Sequence, residues 1–502
     1  MPDPPDARPP GDDPMTPLPP PLSRRRPGLA LLLGALLCAC DQAPAGTAPP
    51  TPEPPVQASP QTNWEKLFNG TDLRGWSAWF PSSGRGGDPR GVFKVEDGAL
   101  HVLDLPPSGA EQEFGYLATD QLHKDYRLRL EYRWGGKKFA PRATEPRDAG
   151  LLYHVSGPDQ IWPQGLEFQI MEGSTGDLWT LDGTNFSSTV QDANAAELQY
   201  DPLGRAHTTA FGDDSYKRLI RSGTPPEQAQ GWNALELVVS GDQVVQIVGG
   251  QVAARASRLR GADGSPLTGG RILLQAEGAE VYYRAIELRP LAYTPPPAGA
   301  TVLLGSGPGA SAAAWQGRTG APADWPVQDG AMTVRPASLQ VGGKAVSNDI
   351  RTREAYGDLR LHLEFQLPVT PGALPEQDRG NSGVYLQGRY ELQLLDSFGG
   401  ALSGKNDLGA IYGQRDASSN AALPAGTWQT YDVEFRAARW QGGRKTDDAR
   451  MTVWLNGEKV QDDVPLSAST FLGEPEADTP GPLVLQDHGN RVQFRNIWLL
   501  PR

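Results

Sequence analysis

The chain has 502 residues, too many for one ordinary domain and enough for two or three. Gly 59 and Pro 47, with 8% aromatic and 38% hydrophobic residues, favour a turn-rich β protein over a helical bundle. A formal net charge of −13, spread without acidic or basic blocks, leaves no electrostatic footprint for DNA or RNA and argues against nucleic acid as a partner.

The first predicted element, residues 1–40, is an address outside the fold. Arg24, Arg25 and Arg26 precede the apolar run Leu29 to Leu37, which is too short to span a bilayer permanently. The run ends in Leu37, Cys38, Ala39 and Cys40, which resembles a bacterial lipobox with Cys40 as the lipidated residue. Cys38 is the poorer acceptor because Leu36 and Leu37 are large for a cleavage site. A plain secretory signal with incidental cysteines is the alternative reading, the arginines also suggest twin-arginine export, and Met15 is an alternative start. Both cysteines lie in this segment, so the body contains no internal disulfide and its stability must come from core burial. The Pro-rich stretch 41–62 then reads as a tether. About twenty extended residues would hold a folded body on the order of 60 Å from a membrane surface. The expected location is the bacterial cell envelope, with the membrane engaged through the lipid alone.

From Trp64 onward the chain reads as short strands between Gly, Pro, Asn and Asp turns, with no long amphipathic helix. Tyr126 to Trp134 alternates strictly, with Leu128, Leu130 and Tyr132 on one face and Arg127, Arg129, Glu131 and Arg133 on the other. Leu166, Phe168 and Ile170 likewise oppose Glu167 and Gln169. Leu359 to Leu367 puts His362, Glu364 and Gln366 on its polar face, and Leu392 and Leu394 oppose Glu391 and Gln393. Asp97 and Asp329 precede Gly and belong to hairpin turns.

The blocks recur in order. Phe93 to Val102 matches Trp325 to Val334, Arg147 to Val155 matches Gly380 to Gly388, and Trp232 answers Trp428 as a candidate core anchor. These matches predict an all-β protein of two homologous sandwiches, residues 63–292 and 300–502, joined by a Pro-rich linker, 293–299. The second domain opens on TVLLGSGPGASAAAW rather than FNGTDLRGW, so its first strand has no sequence signature.

LFNGTDLRGW, the DGAL hairpin, NSGVYLQGRYELQLLD, GAIY and the closing LQDHGNRVQFRNI resemble the 3-keto-disaccharide hydrolase family in two tandem copies. The resemblance implies two concanavalin A-like jelly rolls whose concave sheets hold carbohydrate. It further implies cleavage of glycosides oxidised at C3, with a sugar 3-oxidoreductase acting upstream. Removing the acidified C2 proton, expelling the aglycone and hydrating the enone would need a base, a stabiliser for the enolate oxygen and an acid.

In the second domain the candidates are Glu391 and Asp396 as base or acid, His488 as proton carrier, and Asn381, Gln387, Gln393, Gln486 and Arg495 as sugar or oxyanion binders. Gln486 and His488 are expected on one strand face. In the first domain Glu167 and Glu172 stand as base or acid, with Asp148, His154, Gln169 and Glu277 as binders. Asp177 and Trp179, in an insertion, could grip a sugar by hydrogen bond and stacking. For Glu131 and Glu364 a salt bridge to a neighbouring Arg is the competing reading, and for His488 a structural role. No His or Cys cluster has zinc spacing; a Ca²⁺ ion would suit the fold, although no spacing demands it. A non-catalytic glycan-binding protein, or one active domain beside one binding domain, are the rival functions.

Overall fold

The computed structural model describes residues 63–502 except 104–107, 211–215, 225, 292, 338–339, 342–343, 346 and 373. The signal, Cys40 and the tether lie outside the described residues.

Each half is a sandwich of two sheets. In the first domain a nine-stranded sheet faces a ten-stranded one; in the second a five-stranded sheet faces an eight-stranded one. The strictly alternating stretch forms strand Tyr126–Lys138, with Leu128, Leu130 and Tyr132 buried. Its outward charges pair across strands, Arg129 with Glu287 at 2.6 Å and Arg284 with Glu131 at 2.5 Å. Trp232 is no core anchor: it is partly exposed, with the Arg284 guanidinium 4.0 Å and that of Arg133 5.1 Å from its ring. Trp428, by contrast, is buried, with the Arg495 guanidinium 4.1 Å from its ring. The core proper is the meeting of inward faces, Leu166, Phe168 and Ile170 with Leu128 and Leu237 in one domain, and Leu392 and Leu394 with Leu361 and Phe365 in the other.

The hairpin reading of the DG pairs is realised in both domains. Asp97 and Gly98 have φ of 48° and 78°, Asp329 and Gly330 51° and 82°, the paired positive values that a tight hairpin turn demands. The second domain's first strand is Thr301–Leu304, paired with Gln493–Pro501, as Glu65–Lys66 pairs with Ala279–Pro290.

One polar face differs from expectation. Along Leu359–Gln366, His362 and Glu364 are buried, because the linker residue Thr294 crosses this sheet and accepts hydrogen bonds from Asn496 (2.9 Å) and Trp498 (3.0 Å). His362 stacks on Trp498 at 5.2 Å and bonds Asp432 at 3.0 Å. The two sandwiches share further contacts. Leu423 of the second domain packs in one apolar cluster with Val238, Val245 and Ile247 of the first. Arg255 donates to Ala425 O and Thr427 Oγ1.

Candidate active site

The site of the first domain begins with the pairing of Asp148–Val155 against Gly165–Met171, in which Gly150 opposes Gln169 and Leu152 opposes Glu167. Since Leu166, Phe168 and Ile170 fill the core, Glu167 and Gln169 must face the concave side. A Cβ on Gly150 would collide with Glu167 Oε1 and Gln275 Oε1, so only glycine lets that carboxyl lie across the strand.

Three carboxyls and one guanidinium share the floor. Arg142 bonds Asp148 Oδ2 at 2.6 Å and Glu277 Oε1 at 2.5 Å, while Gln169 donates to Asp148 Oδ1 at 2.7 Å. Burial raises Asp148 to about 7, against the pull of Arg142. Glu277 rises to about 8, through burial and then the negative charge of Asp148. Glu167 lies well above the usual carboxylate range for the same reasons, burial first and then Glu277 and Asp148. One cation cannot compensate three buried carboxylates, so at neutral pH the cluster is partly protonated, and Glu167 is the member that holds its proton most firmly.

Above the floor is a cavity of about 380 Å³, lined by the polar groups Arg142, Asp148, Glu167, Gln169 and Glu277 and by Trp162, Trp179, Leu181 and Tyr216, with Arg218 beside Trp179. Trp179 stands in register beside Glu167. Asp177 does not reach the cavity. It is fully buried, holding Arg218 at 2.5 Å and the Arg221 amide at 2.9 Å, and Arg218 in turn lies 5.6 Å from the centre of the Trp179 ring. Its role in the fold is therefore to prop the aromatic wall. Glu172 is also turned aside, bound at 2.6 Å by Arg147, and its pKa is lowered chiefly by that bond. His154 is a buried neutral ring, lowered to about 4 by burial, and does not line the cavity.

The second domain repeats the framework with other side chains. Glu391 lies over Gly383 as Glu167 lies over Gly150, and Gly383 opposes Gln393 in the ladder. Tyr385 takes the place of Leu152, opposite the glutamate; it hydrogen-bonds Glu391 and accepts from Gln486 at 3.1 Å. Burial lifts Glu391 to about 7. Asn381 accepts weakly from Gln393, at 3.5 Å. Ile411 pairs with Leu392 and Tyr412 N donates to Glu391 O, so Tyr412 holds the position of Trp179.

Gln486 and His488 line a cavity of about 440 Å³ with Tyr385, Asp349, Arg318 and Arg351. The strand ends at Leu485, however, so His488 reaches this cavity from an exposed turn and not from a shared strand face. Asp396, half-buried and raised by burial, lies outside the cavity lining. Gln387 accepts from Arg389 at 3.0 Å and donates to Tyr356 O at 3.1 Å, both structural ties. Arg495 belongs to the opposite sheet, bonding Glu364 at 2.6 Å, and leaves the predicted site altogether.

Sequence reasoning missed Arg142, Gln275, Trp162, Arg218 and Tyr216 in the first domain and Tyr385 and Tyr412 in the second. Tyr385 and Tyr412 sit inside blocks already matched, NSGVYLQG and GAIY; Arg142 and Tyr216 sit in loops whose course no periodicity reveals. Among the described residues no group of three or more His, Cys, Asp or Glu is arranged to hold a metal ion.

The 3-keto-alpha-glucoside-1,2-lyase-like domain family matches residues 63–289 and 299–500. Among solved structures, a putative glycosyl hydrolase from Parabacteroides distasonis ATCC 8503 is similar at 30% identity, over 41% of this chain and 86% of that one, with a TM-score of 0.37. The carbohydrate binding module CBM66 from Bacillus subtilis is 9% identical over 42% of this chain and 93% of its own, with a TM-score of 0.25. Bacillus licheniformis beta-glucanase is 11% identical over 45% and 96%, with a TM-score of 0.27. No curated protein matches the chain.

Proposed function

Because this chain belongs through both of its halves to the 3-keto-alpha-glucoside-1,2-lyase-like family, we propose that it cleaves glycosides oxidised at C3, with the first domain carrying the reaction. The observation that supports this most is the Arg142-bridged pair Asp148 and Glu277 beside a proton-holding Glu167 at the bottom of a sugar-sized cavity. Such a cluster supplies a base that ionises as pH rises through about 8 and, beside it, an acid that holds its proton longer.

Arg142 and Gln169 take up both oxygens of Asp148, whereas Arg142 takes one oxygen of Glu277, which leaves Glu277 as the base. Glu277 removes the proton from C2, and the C–H electrons form the enolate, whose charge on the C3 oxygen is met by Arg142 and Gln169. The enolate collapses to the ketone, a C1=C2 double bond forms, and the C1–O bond breaks. Glu167 gives its proton to the departing aglycone oxygen. Water then adds at C1, losing a proton to Glu167, while C2 recovers one from Glu277. The result is a free 3-keto sugar and the aglycone.

The test follows release of the aglycone from a chromogenic 3-keto-glucoside and from its unoxidised parent. Release from the keto form alone is expected, and Glu167→Gln should lower turnover about 10²-fold or more with little loss of sugar affinity. Release from neither, with saturable sugar binding intact, would move the protein to the glycan-binding class.

A binding role for the second domain is favoured by its substitutions: Asn381 and His488 stand where the first domain has Asp148 and Glu277, so the acid–cation pair is lost. We further propose that the body is exported and anchored through Cys40, and that a sugar 3-oxidoreductase supplies its substrate. Incorporation of labelled palmitate that survives Cys38→Ser and disappears in Cys40→Ser is the expected result; label retained in Cys40→Ser would refute the anchor.

A further inference from the structure

The concave face of the first domain changes character along its strands. At one end are Asp148, Glu277 and Arg142, next come the amides Gln169 and Gln275, and then the row that holds Glu167. Beyond Glu167 that face is largely apolar, apart from Arg271 near its far end, which bonds Asp159 at 3.0 Å. Leu152 and Leu273 pack with Tyr116, Ala118 and Leu181 into a buried cluster roofed by Trp79 and Trp162. Glu167 is thus the border residue, with Trp179 beside it in register on the neighbouring strand.

That border fixes the direction of a substrate. If Glu167 protonates the leaving oxygen, the C2 and C3 carbons must lie toward Glu277 and Arg142, and the aglycone must project the other way. What it meets there is the ring of Trp179, the ring of Trp162 and the side chains of Leu181 and Tyr216, all on the cavity wall. Trp162 is backed by Phe114 with ring centres 6.1 Å apart, and Trp179 is held by Arg218. Tyr216, 52% exposed, and Ile161, 38% exposed, leave apolar surface uncovered near this end. A cavity of about 380 Å³ is small among ligand sites, so it suits a sugar and one further ring, not a long glycan. In the second domain Tyr412 replaces Trp179, and the cavity is lined instead by Arg318, Asp349, Arg351 and His488, so the aromatic end belongs to the first domain alone among the described residues.

We propose that the aromatic end of this cavity receives a flat, apolar aglycone, so that the preferred substrate is a 3-keto glycoside of an aromatic alcohol and not a 3-keto disaccharide. The inference rests on the elimination reading above, which sets the substrate's direction. Stacking on indole and burial of apolar ring surface supply the preference.

The experiment compares kcat/KM of the full-length chain for benzyl and ethyl 3-keto-glucosides and for a 3-keto disaccharide, whose leaving oxygens are all alkoxides. The benzyl compound should lead the others by about tenfold or more. Tyr216→Ala, a truncation at a half-exposed position, and Trp162→Ala should each bring the benzyl-to-ethyl ratio down to about threefold or less. A disaccharide cleaved as well as the benzyl compound, or a ratio unmoved by both substitutions, would overturn the proposal. Should none of the three be cleaved, the elimination reading has failed, and quenching of tryptophan fluorescence by unoxidised benzyl and ethyl glucosides still decides the subsite. Equal affinities there would overturn it as well.

Discussion

Two glycines, Gly150 and Gly383, show how a single residue shapes the site. Each has no room for a methyl group because a glutamate carboxyl lies across it. Gly150→Ala should therefore push Glu167 off its position, with a cost on the order of 1–3 kcal/mol seen in the denaturation midpoint and a larger proportional loss of turnover. A variant with wild-type turnover would mean that the carboxyl does not need this path. The titration of the cluster gives a second expectation. With Asp148 raised to about 7 and Glu277 to about 8, the base is protonated in acid, so kcat/KM should climb as pH rises through that window. Glu167, raised further, keeps its proton over the same range and limits the rate only at higher pH. A profile that falls between pH 6 and 8 would contradict these roles.

The strands that carry the site were largely legible in the sequence, because a core on one side forces period-two alternation on the other. Glu167, Gln169, Glu391 and Gln393 all face where the pattern put them. The pattern failed where a tertiary partner intervened. Glu172 and Arg495 are polar at plausible spacing, yet Arg147 captures one and Glu364 the other; an arginine partner for Glu364 is the competing reading of that strand, whereas nothing in the spacing points to the Glu172 pair. The polar face of Leu359–Gln366 is buried because the linker covers it, which the alternation alone does not show. That burial makes His362 a pH-sensitive brace. Burial lowers its pKa, but the bond to Asp432 and the nearby carboxylate of Glu364 more than reverse this and raise it to about 9. A folded value above the unfolded one stabilises the protein below about pH 6.5, and the contribution is lost as pH rises through 9. Urea midpoints should therefore fall over that interval, and His362→Gln should flatten the fall.

At the scale of the whole molecule, two stretches of the second domain, Phe398–Gly400 and Asn420–Thr427, lie against the first. Their Leu423 and Phe398 sit in the same apolar cluster as Ile247, and Arg255, lowered by burial, bonds the carbonyl of Ala425. Arg255→Met should leave that carbonyl without its partner and cost roughly 1–3 kcal/mol, read as a lower midpoint of one unfolding transition common to both sandwiches. Two separated transitions, with Arg255→Met moving neither, would show the halves to be independent.

Between those two stretches lie Ile411 and Tyr412, which border Glu391. A duplicated domain is commonly pictured as a cassette that can be copied, excised or traded. Here the second copy has made its own site wall from the stretch held between the two pieces that lean on its neighbour. Neither unit can be exchanged for a single-domain cousin without remaking that wall, so the pair should drift through evolution as one inherited block.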